Sequence, residues 1–143
     1  MSPLNVVILA AGKGTRMRPA TPKVLHEAAG QALLAWVTEA AAGLGPTRVH
    51  LVIGPETETA AVQGVLPGQQ HVSSWSVQAE RRGTGHAVAQ ASEALKAAPG
   101  FTLVLYADTP LVTASALEGL IVDTLDDGAD LALGSFETDH PTG

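Results

Sequence analysis

Apolar and polar positions alternate along this chain in blocks that switch between two periodicities. Asn5 to Ala10 (NVVILA) is a β-branched apolar run without alternation, the mark of a strand buried on both faces. Leu33, Leu34, Trp36, Val37, Ala40, Ala41 and Leu44 recur at helical spacing, and Gly43 and Gly45-Pro46 end that helix. Val49 to Ile53 predicts a second strand. Glu56 to Leu66 predicts a short helix with acids in its first turn, where the helix dipole favours them. Val72 to Ala79 reads as a third, more polar strand. Gly85 to Ala98 predicts a helix with Ala87, Val88, Ala91, Ala94, Leu95 and Ala98 on one face, stopped by Pro99-Gly100. Phe101 to Ala107 (FTLVLYA) is a fourth strand, apolar throughout and central by that criterion. Thr113 or Ser115 caps a helix through Leu117, Leu120, Ile121 and Leu125 that ends near Asp127-Gly128, and Ala129 to Phe136 predicts a fifth strand. The tail from Asp139 has turn composition.

Strands joined mostly by helices imply a doubly wound, mostly parallel α/β sheet in one domain, residues 1–143, without internal repeat or linker. Ligands bind such sheets at the carboxyl ends of the strands. Three loops are thereby expected near one crevice: 11–23, 80–85 and 108–112.

Composition narrows the function classes. With 45% hydrophobic and 15% charged residues, the 143-residue chain is globular rather than disordered. Only 3% is aromatic, so Ala, Val and Leu must fill the core. The lack of cysteine excludes disulfides, thiolate metal sites and a cysteine nucleophile. Leu4 to Gly12 is short and has no basic residue before it, so neither a signal peptide nor a membrane span is expected, and a cytoplasmic location is. A net charge of −6 argues against a nucleic-acid binder. The distribution is more telling: Lys13, Arg16, Arg18 and Lys23 precede every acid, so the first 26 residues carry +4 and the remainder −10. A local cationic segment on an acidic protein suits a small anionic ligand.

That segment is the loop after the first strand, Leu9-Ala10-Ala11-Gly12-Lys13-Gly14-Thr15-Arg16-Met17. Two glycines let the backbone approach a ligand and turn its N–H groups toward phosphate oxygens. Met17 stands where a Walker A loop and a dinucleotide fingerprint each require glycine, so a P-loop kinase and a nicotinamide dehydrogenase are disfavoured. An ordinary Gly-rich connection with solvated charges is the competing reading. The position directly after a buried strand and the uncompensated cations favour phosphate binding over it.

The run from Leu9 to Met17, followed by Pro22-Lys23-Val24-Leu25-His26, resembles the signature of nucleoside-diphospho-sugar pyrophosphorylases. In detail it is similar to the bacterial bifunctional N-acetylglucosamine-1-phosphate uridylyltransferases. Further matches are Gln78-Ala79-Glu80 with Gly83-Thr84-Gly85-His86-Ala87, Tyr106-Ala107-Asp108-Thr109-Pro110-Leu111, and the terminal Pro141-Thr142-Gly143. They cover nearly the whole chain in the family's order. The resemblance implies a Rossmann-like sheet of the nucleotide-diphospho-sugar transferase type, and transfer of UMP from UTP to N-acetylglucosamine 1-phosphate. It implies that the backbone of Leu9, Ala10, Ala11, Gly12 and Gly14 lines the nucleotide site. Arg16 and Lys23 would hold the phosphates and stabilise charge on the transferring α-phosphate. Gln78, Gly83 and Thr84 would recognise uracil, Tyr106, Ala107 and Asp108 would lie beside the ribose and metal, and Asp108 would bind Mg²⁺.

Chemistry is compatible with these roles. Phosphoryl-type transfer needs in-line positioning and neutralisation of a polyanion, and no covalent nucleophile. Arg16 offers a planar fork, and Lys23 a point charge. A carboxamide at Gln78 matches the donor–acceptor edge of uracil. From pattern alone, Asp108 before Thr-Pro either organises a turn or binds metal, and Thr84 is a ligand contact, a helix cap or both. Arg18 and the pair Arg81-Arg82 read as solvated, although the position of the pair permits ligand contact. His26 and His86 read as hydrogen-bonded structural residues. His50, His71 and His140 lack zinc-ligand spacing. Trp36 fits a core helix face and Trp75 an alternating strand.

Two alternatives stand beside this reading: within enzymes, a related nucleotidyltransferase using another base or acceptor, and outside them a non-catalytic nucleotide-binding or regulatory module. A homo-oligomer stays open for the longer family form. The family's catalytic domain runs past residue 143, where it supplies a second metal ligand and the sugar contacts, and many members carry a C-terminal acetyltransferase β-helix. The sheet is therefore expected to be C-terminally incomplete. The 143-residue chain alone is expected to release little or no pyrophosphate from UTP and N-acetylglucosamine 1-phosphate. A steady-state pyrophosphate assay checks this, and robust turnover would contradict it.

Overall fold

The computed structural model describes residues 3–12, 21–57, 59–66, 72–135 and 137–139. Gly14, Arg16, His71, Phe136, His140 and the Pro141–Gly143 motif lie outside the described residues. Among the described residues the strands are β1 (Leu4–Ala10), β2 (Glu27–Ala28), β3 (Gln31–Ala32), β4 (Arg48–Ile53), β5 (Ser74–Val77) and β6 (Phe101–Tyr106). The helices are α1 (Leu33–Ala42), α2 (Thr59–Val65), α3 (Thr84–Ala89), α4 (Ser92–Lys96) and α5 (Ala114–Asp126), with a 3-10 turn at Lys23–Leu25.

The main sheet has the order β5-β4-β1-β6, with every neighbour parallel. The apolar run at β1 is its central strand, as the lack of alternation requires. One face of β1 (Val6, Ile8, Ala10) packs with Leu34 and Val37 of α1, Val62 of α2 and Leu117 of α5. The other (Val7, Leu9) packs with Ala87 of α3 and with Ala91. Helices on both faces make the sheet doubly wound. The small second face explains why alanines suffice there. Burying residues such as Ile8, Leu34 and Leu51 contributes roughly 1.5–3 kcal/mol each.

The chain runs outward from β1 to β4 and β5, then returns through α3 and α4 to β6 on the opposite side of β1. This reversal puts a topological switch point between β1 and β6, and their carboxyl ends open onto one crevice. Gly100 makes the return possible. Its φ of +123° and the abutting Pro3 carbonyl leave no room for a Cβ.

Several expectations need correction. The strand foreseen at Ala129 to Phe136 does not form over its described part. Residues 131–135 carry no regular structure, and Leu131 and Leu133 are 78% and 83% exposed. Alternation cannot supply a hydrogen-bonding neighbour, and among the described residues no strand pairs with this segment. β6, foreseen as central, is an edge strand for the same reason, with Phe101, Val104 and Tyr106 exposed. The helix foreseen over Gly85 to Ala98 is two, because Gln90 and Ala91 donate to Ala87 and Val88, a tightened turn that interrupts the α ladder. α2 starts at Thr59, so no described acid lies in its first turn, and Glu56 instead pairs with Arg81. The hairpin of β2 and β3 was not foreseen. It turns through Ala29 and Gly30 at φ 53° and 80°, which a lone Ala-Gly dipeptide signals only weakly. Thr113 proves to be the cap of α5, its hydroxyl accepting from the Ala116 N–H at 3.2 Å. Among the described residues, no helix is long and apolar enough to cross a membrane.

β5 is short and at the other edge. His50 on β4 anchors it, its Nδ1 lying 2.8 Å from the Ser74 hydroxyl and its Nε2 2.9 Å from that of Ser76. Burial, with Arg48 adding, lowers the His50 pKa from the ordinary 6.5. The unfolded chain then takes up the proton at higher pH than the folded one. This contribution is intact above 6.5 and lost as pH falls through 6.5 toward the folded value. Thermal melts should show the wild type losing more stability than His50→Gln on acidification through the histidine range. Parallel curves would contradict the assignment.

Candidate functional site

Four parallel strands bring their carboxyl ends to one edge, and a cavity of about 240 Å³ opens there. Its walls include Leu9, Ala11 and Gly12 after β1, Lys23 and Val24, Gln78, Arg81, Gly83, Thr84 and Ala87, then Tyr106 and Asp108 after β6. All three loops named from the sequence contribute. Nine of the thirteen singled-out residues line it: Leu9, Ala11, Gly12, Lys23, Gln78, Gly83, Thr84, Tyr106 and Asp108. Ala10 and Ala107 do not. Both are buried in the core on the opposite face, so Ala10 offers a ligand only its backbone. Gly14 and Arg16 lie outside the described residues.

Each wall has a local cause. Pro22 sets φ to −53°, and Leu25 and His26 N–H groups donate to the Pro22 and Lys23 carbonyls, forming the 3-10 turn. Val24 is buried and anchors that turn, leaving Lys23 at the crevice. His26 Nε2 lies 3.1 Å from the Thr21 carbonyl, a structural role as expected. Across the crevice, Lys23 Nζ reaches Asp108 Oδ2 at 2.6 Å. Both side chains are over a third exposed, so the pair contributes at most about 1 kcal/mol to stability and is free to exchange partners.

Asp108 sits where it does because the sheet ladder continues past β6, Ala107 N–H donating to Leu9 O at 3.0 Å. The following turn is organised by Thr109, whose hydroxyl donates to Tyr106 O at 2.8 Å. Asp108 is therefore not the turn organiser, and its carboxylate faces Lys23. On the third wall, Gln78 N–H extends the ladder to Ile53 O at 2.9 Å. The Gln78 Nε2 lies 3.2 Å from Gly83 O and 3.0 Å from His86 Nδ1. Gly83, at φ 93°, is the N-cap of α3, so Thr84 is not a cap. Thr84 instead receives the Tyr106 hydroxyl at 3.4 Å, a long contact.

Arg81 corrects the solvated-pair reading. Its Nε donates to Ala11 O at 2.7 Å and its guanidinium pairs with Glu56, whereas Arg82 pairs with its exposed neighbour Glu80. Nothing in the local sequence separates the two arginines; only the approach of the 80–85 loop to the β1 turn does. Val24 and Ala87 were likewise missed as lining residues, since small apolar side chains carry no chemical signal. Among the described residues, no group of three or more His, Cys, Asp or Glu could hold a metal ion.

A parallel sheet whose strand order reverses beside a crevice at its carboxyl edge defines an α/β domain of the nucleotide-binding class. The pattern of MobA-like NTP transferase domains matches residues 6–142, and the chain belongs to that family. It is 45% identical over 143 residues to the bifunctional protein GlmU of Marinobacter nauticus, covering 100% of this chain and 30% of that protein. It is 47% identical over 142 residues to GlmU of Azorhizobium caulinodans, covering 98% and 31%. The chain thus spans under a third of the length of these relatives. Among solved structures, UTP-bound UGPase from Acinetobacter baumannii superposes with a TM-score of 0.72 at 20% identity, over 89% of this chain and 54% of that one. Rv0371c from Mycobacterium tuberculosis superposes with a TM-score of 0.65 at 22% identity, over 88% and 62%. These two likenesses establish the fold.

Arg81 links two loops through a charge-assisted hydrogen bond to a backbone carbonyl. Arg81→Ala should destabilise by about 1–2 kcal/mol in urea unfolding, and Arg82→Ala by no more than about 0.5 kcal/mol. Equal losses would contradict this account.

Proposed function

We propose that this chain is the nucleotide-binding part of a uridylyltransferase, transferring UMP from UTP to N-acetylglucosamine 1-phosphate to give UDP-N-acetylglucosamine and pyrophosphate. The product class is a precursor for cell-wall peptidoglycan, made in the cytoplasm. The observation that carries the reading is the opposition of Lys23 and Asp108 beside Gly12, with Gln78, Gly83 and Thr84 on the adjoining wall of the same crevice. One end of that crevice is ionic and the other amide-rich, matching a triphosphate and a base. Kinship with the GlmU proteins, over 98–100% of this chain, supports the choice of base and acceptor.

In the reaction, a phosphate oxygen of the sugar 1-phosphate attacks the α-phosphorus of UTP. A new P–O bond forms, the bond from the α-phosphorus to the bridging oxygen breaks, and pyrophosphate leaves with that electron pair. Lys23, with Arg16, offsets charge growing on the α-phosphate. The backbone of Leu9 to Gly12 and Gly14 borders the phosphates, and Tyr106 and Ala107 border the ribose. Gln78, Gly83 and Thr84 contact the base.

The donor set also suits Mg²⁺. Asp108 presents a single exposed carboxylate, and Mg²⁺ commonly takes one or two carboxylates, substrate phosphates and waters. When bound, Mg²⁺ would screen the phosphate charge. Rv0371c, a fold relative at 20% identity, has been crystallised with manganese. The Lys23–Asp108 pair is a self-neutralised arrangement in which Lys23 would be the group that holds phosphate and Asp108 the group that would hold Mg²⁺.

Titration of ¹⁵N-labelled chain with UTP and Mg²⁺ should shift Gly12, Lys23, Gly83 and Thr84. Lys23→Ala should weaken binding about tenfold or more, and Asp108→Asn should remove most of the Mg²⁺ dependence. UTP should also protect against thermal unfolding more than CTP or GTP does. Shifts confined to a distant surface would refute the assignment.

A further inference from the structure

Gln78 is the buried carboxamide on the crevice wall, only 4% exposed, and its orientation is determined by its neighbours. The Gly83 carbonyl 3.2 Å away can only accept, so the amide nitrogen must lie on that side. The second proton of the same nitrogen points to His86 Nδ1 at 3.0 Å. His86 Nδ1 is therefore an acceptor, and the imidazole proton resides on Nε2. Gln90 Nε2 donates to the His86 carbonyl at 3.1 Å and stands 3.4 Å from the ring Nε2; the shorter 3.0 Å Gln78 contact decides the tautomer, and with Nε2 protonated the 3.4 Å approach is not a hydrogen bond. Both Gln78 N–H groups are thus committed. Among the described residues no group donates to its Oε1, which is left for whatever fills the crevice.

We propose that His86 is a positioning residue that sets base selectivity, its Nδ1 holding the Gln78 carboxamide with the oxygen toward the bound base. The inference rests on the nucleotide reading of the crevice above and adds a directional requirement to it. A fixed acceptor selects a ring N–H, as in the imide of uracil or thymine. It rejects the unprotonated ring nitrogen of cytosine, where two lone pairs would face each other in a desolvated place. A carboxamide free to rotate would present either edge and discriminate poorly. His86 touches no base in this account; it acts through Gln78.

The test measures dissociation constants for UTP and CTP, each with Mg²⁺, on the full 143-residue chain, on His86→Phe and on His86→Asn. Phenylalanine keeps the ring and loses the acceptor, whereas asparagine offers an oxygen near the position of Nδ1. The wild type should prefer UTP. His86→Phe should lose that preference by about tenfold or more, chiefly through weaker UTP binding, and His86→Asn should recover it. In parallel, the Gln78 side-chain amide protons should exchange faster with solvent in His86→Phe than in the wild type or His86→Asn. Should His86→Phe fail to fold, His86→Leu takes its place. An unchanged UTP-to-CTP ratio in a folded acceptor-free variant, or a wild type that binds both nucleotides equally, overturns the role of His86. A wild type that binds no nucleotide, or binds one away from Gly83 and Thr84, refutes the nucleotide reading itself.

Discussion

The hydrogen bond from Ala107 N–H to Leu9 O, one residue beyond the end of β6, is the constraint on which the crevice depends. It carries the parallel ladder to the point where both strands give way to loops. Asp108 on one side and Ala11-Gly12 on the other therefore emerge at the same height. The ladder holds its register because β1 is buried on both faces, and a slip of one residue would exchange its two packed surfaces. The register that stabilises the core is thus the same one that fixes the separation of the crevice walls.

The remaining walls reach that edge by two different means. Val24 is a hydrophobic anchor: it inserts into the core between α1 and α2 and leaves Lys23 above it at the solvent boundary. The loop after β5 is tied by polar contacts instead. Arg81 binds the Ala11 carbonyl and Glu56, and Gln78 holds Gly83 and His86. The apolar contact costs no desolvation of charge. The polar ties are directional, and they determine which atoms of Gln78 remain available. An ionic end with a half-exposed, exchangeable ion pair and an amide end with a locked carboxamide serve different purposes. In the proposed function the first would meet a polyanion and its cation, and the second would discriminate among flat heterocycles.

Electrostatics follows the same division. The cationic excess in the first 26 residues stands against an acidic remainder, yet in the described part of the crevice each cation has an anion: Lys23 has Asp108, and Arg81 has Glu56. Such pairing lowers the cost of holding charge at a partly desolvated edge. The other cations of that excess, Lys13, Arg16 and Arg18, lie outside the described residues.

The sequence by itself determined which segments could be strands and helices, because buried parallel strands and amphipathic helices leave periodicities that need no partner to be read. It also pointed to the edge of the sheet and, through glycines, Lys23, Gln78 and Asp108, to the residues collected there. Three matters were decided only by the tertiary structure. Whether Ala129 to Phe136 pairs as a strand depends on a neighbour, which a one-dimensional pattern does not contain. Whether Arg81 or Arg82 is structural depends on which of them meets the Ala11 carbonyl, a contact spanning 70 residues. Which end of the Gln78 carboxamide faces the crevice depends on Gly83 and His86 approaching it together, since oxygen and nitrogen of an amide are equivalent in the sequence and distinguished only by their partners.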